Sequence, residues 1–180
     1  MTDVEIAYSI HTGKLQLGTW KRLTHYAIVF FLLFIPILFL FFHLKDHLFG
    51  TPRLIREGEI WFFIIPSVLA LIFYIIQRNR LKFKTIKTHL TRTEIDAIIE
   101  KVANELEWVP HVTTKKAIIA KTHPGFMSGS WGEQITILFD ENRILINSIC
   151  DPERSSSVTS FGRNTRNVRR LIEEIRKAED

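Results

Sequence analysis

Two uninterrupted apolar runs, residues 26–42 and 60–76, contain no charged side chain. As helices each is roughly 26 Å long at ~1.5 Å per residue, close to the ~30 Å hydrocarbon core of a bilayer. A chain with two such segments is expected to form a membrane α-helical hairpin over residues 25–77, with a short external loop at 44–58. Both runs carry a proline near the middle, Pro36 and Pro66. Membrane helices tolerate this, because neighbouring helices and local adjustments satisfy the freed carbonyl. Neither run has an ionisable residue or a GxxxG repeat. The intramembrane charges of a channel or proton path are therefore not part of the expectation. No small-residue cleavage pattern follows the first run and no lipidation pattern is legible, so the runs are read as spans rather than as a signal peptide.

The formal net charge of +5 resembles a nucleic-acid signature until it is divided along the chain. Residues 1–92 carry net +7 and residues 93–180 net −2. The excess positive charge surrounds the apolar runs, and a basic soluble face for nucleic acid is not expected. Nine Lys and Arg flank the hairpin on the side of the termini, including Arg78, Arg80, Lys82, Lys84 and Lys87, against three in the connecting loop. The distribution predicts both termini in the cytoplasm. The juxtamembrane residues 78–92 read as a basic linker held against anionic headgroups, or simply as the orientation signal of a final span. Cys150 is the single cysteine and can form no internal disulfide, in keeping with a reducing compartment.

Residues 1–24 alternate at Val4, Ile6 and Tyr8 and again at Leu15 and Leu17, around a turn at 11–14. That pattern predicts a small cytoplasmic hairpin. A soluble domain is expected over 93–180. Thr93 and Asp96 resemble an N-terminal cap, and Ile95, Ile98, Ile99, Val102 and Leu106 follow helical spacing. A strand is expected over 111–121, and a hairpin over 134–139 and 144–149 with its turn at 140–143. A short edge strand at 157–161 and a closing helix follow, the helix capped by Asn164 or Thr165 and striped by Val168, Leu171, Ile172, Ile175 and Ala178. The fold class is thus a two-helix membrane hairpin joined to a small α+β domain, its antiparallel sheet packed under two helices.

Few residue groups rise above ordinary packing. His43 and His47 share a helical face but lack a third ligand, and Cys150, His123 and Asp151 lack the local context of an activated thiol. No metal, cofactor or catalytic residue is expected. Phe126, Met127 and Trp131 lie in a Gly/Ser/Pro loop. They read either as a tip entering the membrane interface or a partner groove, or as a lid on the sheet. Arg163, Arg166, Arg169 and Arg170 cluster on the last helix. Arg169 and Arg170 precede Glu173 and Glu174 by four residues, which suits surface ion pairs. Arg163 and Arg166 stand near a helix N-terminus, where positive charge is disfavoured, and suggest a bound anion or lipid phosphate.

The order of two spans, basic linker and small β-rich domain ended by an amphipathic helix resembles that of small bacterial membrane proteins with pleckstrin-homology-like domains. The resemblance is one of architecture, and the helix at 93–107 departs from it. Together with heavy Ile, Phe and Lys usage, it implies a bacterial inner (plasma) membrane. Two functions are expected from these features. The first is a non-enzymatic accessory or scaffold subunit of a larger membrane-protein complex. The second is a membrane-anchored module recognising anionic lipid or a small anionic ligand.

Overall fold

The computed structural model describes residues 1–50, 56–124, 131–154 and 160–179. The strongest local sequence features become its longest elements. Helix α2 (Thr19–Phe49) and helix α3 (Trp61–Arg80) contain the two apolar runs and pack side by side. Both are long and apolar enough to cross a membrane, yet only 11% of the apolar window of each is buried. Such large apolar surfaces do not face water in a soluble monomer. Tyr26 meets Tyr74, and Phe39 meets Phe63, along their contact. Deeper toward the chain ends, Gln77 Nε2 donates to the His25 carbonyl at 2.8 Å, and His25 Nε2 lies 3.1 Å from the Gln77 carbonyl oxygen.

The N-terminal segment is a helix rather than the expected hairpin. Helix α1 (Asp3–Thr12) starts at a capping box: Glu5 N–H donates to Thr2 Oγ1 and Thr2 N–H donates to Glu5 Oε2. It ends at Gly13, whose φ of 63° is the left-handed conformation that closes a helix. These end signals outweigh the two-residue alternation. Residues 14–17 are then extended, burying Leu15 and Leu17.

A five-stranded antiparallel sheet follows, in the order β1-β5-β4-β3-β2. Its strands are β1 (Lys84–Lys87), β2 (Trp108–Thr113), β3 (Ala117–Thr122), β4 (Glu133–Asp140) and β5 (Arg143–Cys150). The β4–β5 hairpin matches the sequence expectation. The region expected as one strand at 111–121 is itself a hairpin, β2–β3. The stretch expected as a basic linker supplies β1, an edge strand whose lysines discourage pairing with other chains. Ser160 and Phe161, the described end of the edge strand expected at 157–161, are not in a strand; the rest of it lies outside the described residues.

Helices α4 (Arg92–Glu105) and α5 (Arg163–Glu179) cover one face of the sheet. The capping box of α4 is Thr91 with Glu94, two residues before the expected Thr93. Their apolar stripes meet Ile118, Ile135, Ile137, Ile144 and Ile146. The other face is covered by the chain's own start: Ile6, Leu15, Leu17 and Phe83 pack on Ala117, Leu138, Leu145 and Ile149. The sheet is therefore buried on both sides, and the α+β domain is built from both ends of the chain around the inserted helical hairpin.

Two-sided burial gives a measurable expectation. Ile137 and Leu138 are neighbours pointing to opposite faces, and each is 0% exposed. Ile137→Ala and Leu138→Ala are each expected to lower stability by about 2–5 kcal/mol. Urea titration of the detergent-solubilised chain, followed by fluorescence of the buried Trp108, checks this. A cost for Leu138→Ala under about 1 kcal/mol would mean that the second face is not sealed.

Candidate anion-binding groove

The arginines of α5 do not act as one cluster. Arg163 pairs with Glu133, a carboxylate that is fully buried on β4 and also accepts from the Thr122 hydroxyl. Arg170 is held by Glu105 of α4 at 2.7 Å and by Glu174 at 2.6 Å, which raises its pKa further. Glu174, bonded by Lys101, Lys177 and Arg170, is held down to about 2. Arg169 pairs with Glu173. Arg166 lies with Arg163 in a small polar depression that also contains Glu105 and Glu107. The candidate anion site at Arg163, Arg166 and Arg170 is thus balanced by carboxylates that are distant in sequence.

The unbalanced charge lies on the other side of α5. There an open groove of about 740 Å³ runs between α5 and the exit of α3. One wall is Asn79, Arg80, Lys82 and Lys84. The floor is Ile146, Asn147 and Ser148 of β5. The opposite wall holds Phe161, Val168, Arg169, Ile172, Glu173 and Arg176. Arg169 is neutralised by Glu173. Arg80, Lys82, Lys84 and Arg176 form no salt bridge among the described residues. Arg78 and Lys87, the other cations at and after the end of α3, do not line it.

The groove exists because β1 is short. Its pairing with β5 ends at Lys84 opposite Ile146, and β5 runs on beyond it. Asn147, next along β5, turns its amide nitrogen to the end of α3, donating to the carbonyls of Arg80 at 2.8 Å and Lys82 at 3.0 Å. The Arg80 carbonyl is one of those that a helix end leaves without an intrahelical donor. Two side-chain atoms of lining residues, Asn147 Oδ1 and Arg80 Nη1, are buried without a hydrogen-bond partner and so are closed off from the groove itself. Phe161, at the rim, is 74% exposed and adopts a φ of 46°. Left-handed backbone at a bulky residue marks local strain.

A second polar cluster ties α2 to the domain. Glu153 accepts from Lys121 of β3 and Lys21 of α2, which hold its pKa down to about 2. Lys121 is half of a further pair with the buried Asp151 at 3.1 Å. Burial alone would lower the Lys121 pKa, but the hydrogen bonds it donates to Glu153 and Asp151 more than offset this and raise it.

Trp131 is 57% exposed, so it does not plug the core; its carbonyl accepts from Arg154. Gly132 beside it has a φ of 115°, and a Cβ there would lie 2.7 Å from the Thr122 carbonyl oxygen, so the turn requires glycine. Phe126 and Met127 lie outside the described residues. His123 is bonded by Arg154 and Asp151 by Lys121, while Cys150 is buried beside Asn164. Among the described residues no group of His, Cys, Asp and Glu is arranged to hold a metal. Sequence reasoning passed over Asn147, Phe161, Arg176 and the His25–Gln77 contact, since each gains its place only through tertiary neighbours. Comparison with known proteins found no family model, curated protein or solved structure that matches the chain.

The Lys21–Glu153–Lys121 contact carries a pH dependence. The Glu153 carboxyl has an ordinary value of 4.5 and sits at about 2 in the fold. Its contribution is complete above 4.5 and is lost as pH falls toward 2. Thermal unfolding across that window should therefore show a smaller acid-induced drop in Tm for Glu153→Gln than for the wild-type chain. Parallel curves would remove this carboxylate from the account.

Proposed function

We propose that this chain is a two-pass integral membrane protein that works by binding rather than turnover, with its domain taking an anionic ligand in the groove beside the exit of α3. The observation that carries the reading is the set of four cations, Arg80, Lys82, Lys84 and Arg176, that line one groove and form no salt bridge among the described residues. Like charges held together repel, and the arrangement is relieved by an anion that accepts charge-assisted hydrogen bonds. The apolar exposure of α2 and α3 and the excess of cations on the side of the termini support a bilayer location with both termini in the cytoplasm. The same features suit a bacterial plasma membrane.

A second reading is an accessory or scaffold subunit of a membrane-protein complex. It draws on Trp131, 57% exposed beside a conformationally fixed glycine. Exposed tryptophans anchor interfaces. The two readings separate in one purification. A stoichiometric partner lost on Trp131→Ala favours the subunit.

The binding reading is checked by lysine acetylation of the full-length protein in a zwitterionic detergent, followed by mass spectrometry. Pyrophosphate is expected to slow acetylation of Lys82 and Lys84 more than sodium chloride of equal ionic strength does. Arg176→Glu should abolish the difference. Equal rates in both salts would overturn the reading.

A further inference from the structure

The depth of the groove narrows the ligand. The apolar run of α3 ends at residue 76, and Arg80 follows four residues later. At ~1.5 Å per residue Arg80 stands about 6 Å beyond the hydrocarbon edge. The polar headgroup layer on each side of a bilayer is roughly 5–8 Å deep. The cations of the groove therefore lie where lipid phosphates are.

The lining offers more than charge. A headgroup that carries its own cation would place it beside Lys82, Lys84 and Arg176, which disfavours a zwitterion. Phe161, Val168 and Ile172 supply an apolar wall, which a free phosphate ester has no use for. The volume of about 740 Å³ lies within the ordinary range of small-molecule sites.

We propose that the groove holds the headgroup of one anionic phospholipid from the leaflet that α3 leaves. Arg80, Lys82, Lys84 and Arg176 face the phosphate, and Phe161 and Ile172 lie against the glycerol and upper acyl carbons. This rests on the anion-binding reading above and specifies the source and chemistry of its ligand.

The test is native mass spectrometry of the delipidated full-length protein in detergent, titrated with three probes. Phosphatidylglycerol carries both the net charge and the chains; phosphatidylcholine lacks the net charge; glycerol 3-phosphate lacks the chains. A single phosphatidylglycerol adduct is expected, at least about tenfold tighter than that of phosphatidylcholine, equal to ~1.4 kcal/mol. The charge reversal Lys84→Glu with Arg176→Glu should weaken the phosphatidylglycerol adduct about tenfold or more, and Lys115→Glu, away from the groove, should leave it unchanged. Glycerol 3-phosphate binding as tightly as phosphatidylglycerol, with the same response to the double variant, would overturn the lipid assignment and leave the anion-binding reading standing. Equal affinity for phosphatidylcholine, with acetylation of Lys82 and Lys84 indifferent to pyrophosphate, would overturn both.

Discussion

Everything in this molecule hangs on a neck two strands wide. Leu15 N–H donates to the Leu81 carbonyl at 2.7 Å and Phe83 N–H donates to the Gly13 carbonyl at 2.9 Å, a short antiparallel bridge around Lys14 and Lys82. The helical hairpin leaves the domain through this pair and returns through it. Bridged strands sit about 5 Å apart, and packed helices about 8–10 Å. The neck therefore delivers α2 and α3 nearly at their packing distance, and the reciprocal bonds between His25 and Gln77 continue the pairing into the helices. Lys21, bonded to Glu153, adds a second tie on the α2 side. With two ties the domain has little freedom to swing against the apolar helices, which is what gives a depth argument for Arg80 its meaning.

The same neck explains why the chain's start belongs to the domain. Gly13 turns the backbone out of α1, and residues 14–17 run along the sheet face that α4 and α5 do not reach. Without them Leu138, Leu145 and Ile149 would face water. At about 25 cal/mol per Å² of apolar area, sealing such a face is worth more than the ordering of a short segment opposes. An edge problem is solved in parallel. The β1 edge presents Lys84 and Lys87, and the gap beyond its end is closed by the Asn147 amide rather than by another strand.

Elements whose signal is local were legible in the sequence. The charge-free runs, the stripes of α4 and α5, and the alternation of β4 and β5 each announce themselves within a window of ten or so residues. Where the deciding contact is remote, reading failed. The tetrapeptide of β1 has one apolar residue, Ile86, and becomes a strand only because β5 offers its edge. Residues 3–12 alternate weakly, and a two-residue cap settled their state. A trace of the second covered face was in fact present: Leu138, Leu145 and Ile149 are apolar at positions where a half-exposed strand carries polar side chains. The charge balance on α5 was hidden for the same reason, since Glu133 and Glu105, which pair with Arg163 and Arg170, lie on other elements.

That division of α5 into a neutralised side and a cationic side bears on how the groove would work. Leu171 and Ile175, both 0% exposed, fix the helix to the sheet, and the pairs to Glu105 and Glu133 fix its roll about its axis. The floor is β5, held between β4 and β1 and buried on both faces, so it cannot yield to a ligand. What remains adjustable is the side chains of Lys82, Lys84 and Arg176, which are exposed. A rigid floor with mobile cations on its rim pays the ordering entropy of a few side chains and none of the backbone. Under the binding reading, selectivity would come from the fit of a ligand between the rigid β5 and the apolar side of α5, because flexible cations accept any anion of suitable size. Lys82, Lys84 and Arg176 would then set how strongly and how quickly an anion is drawn in.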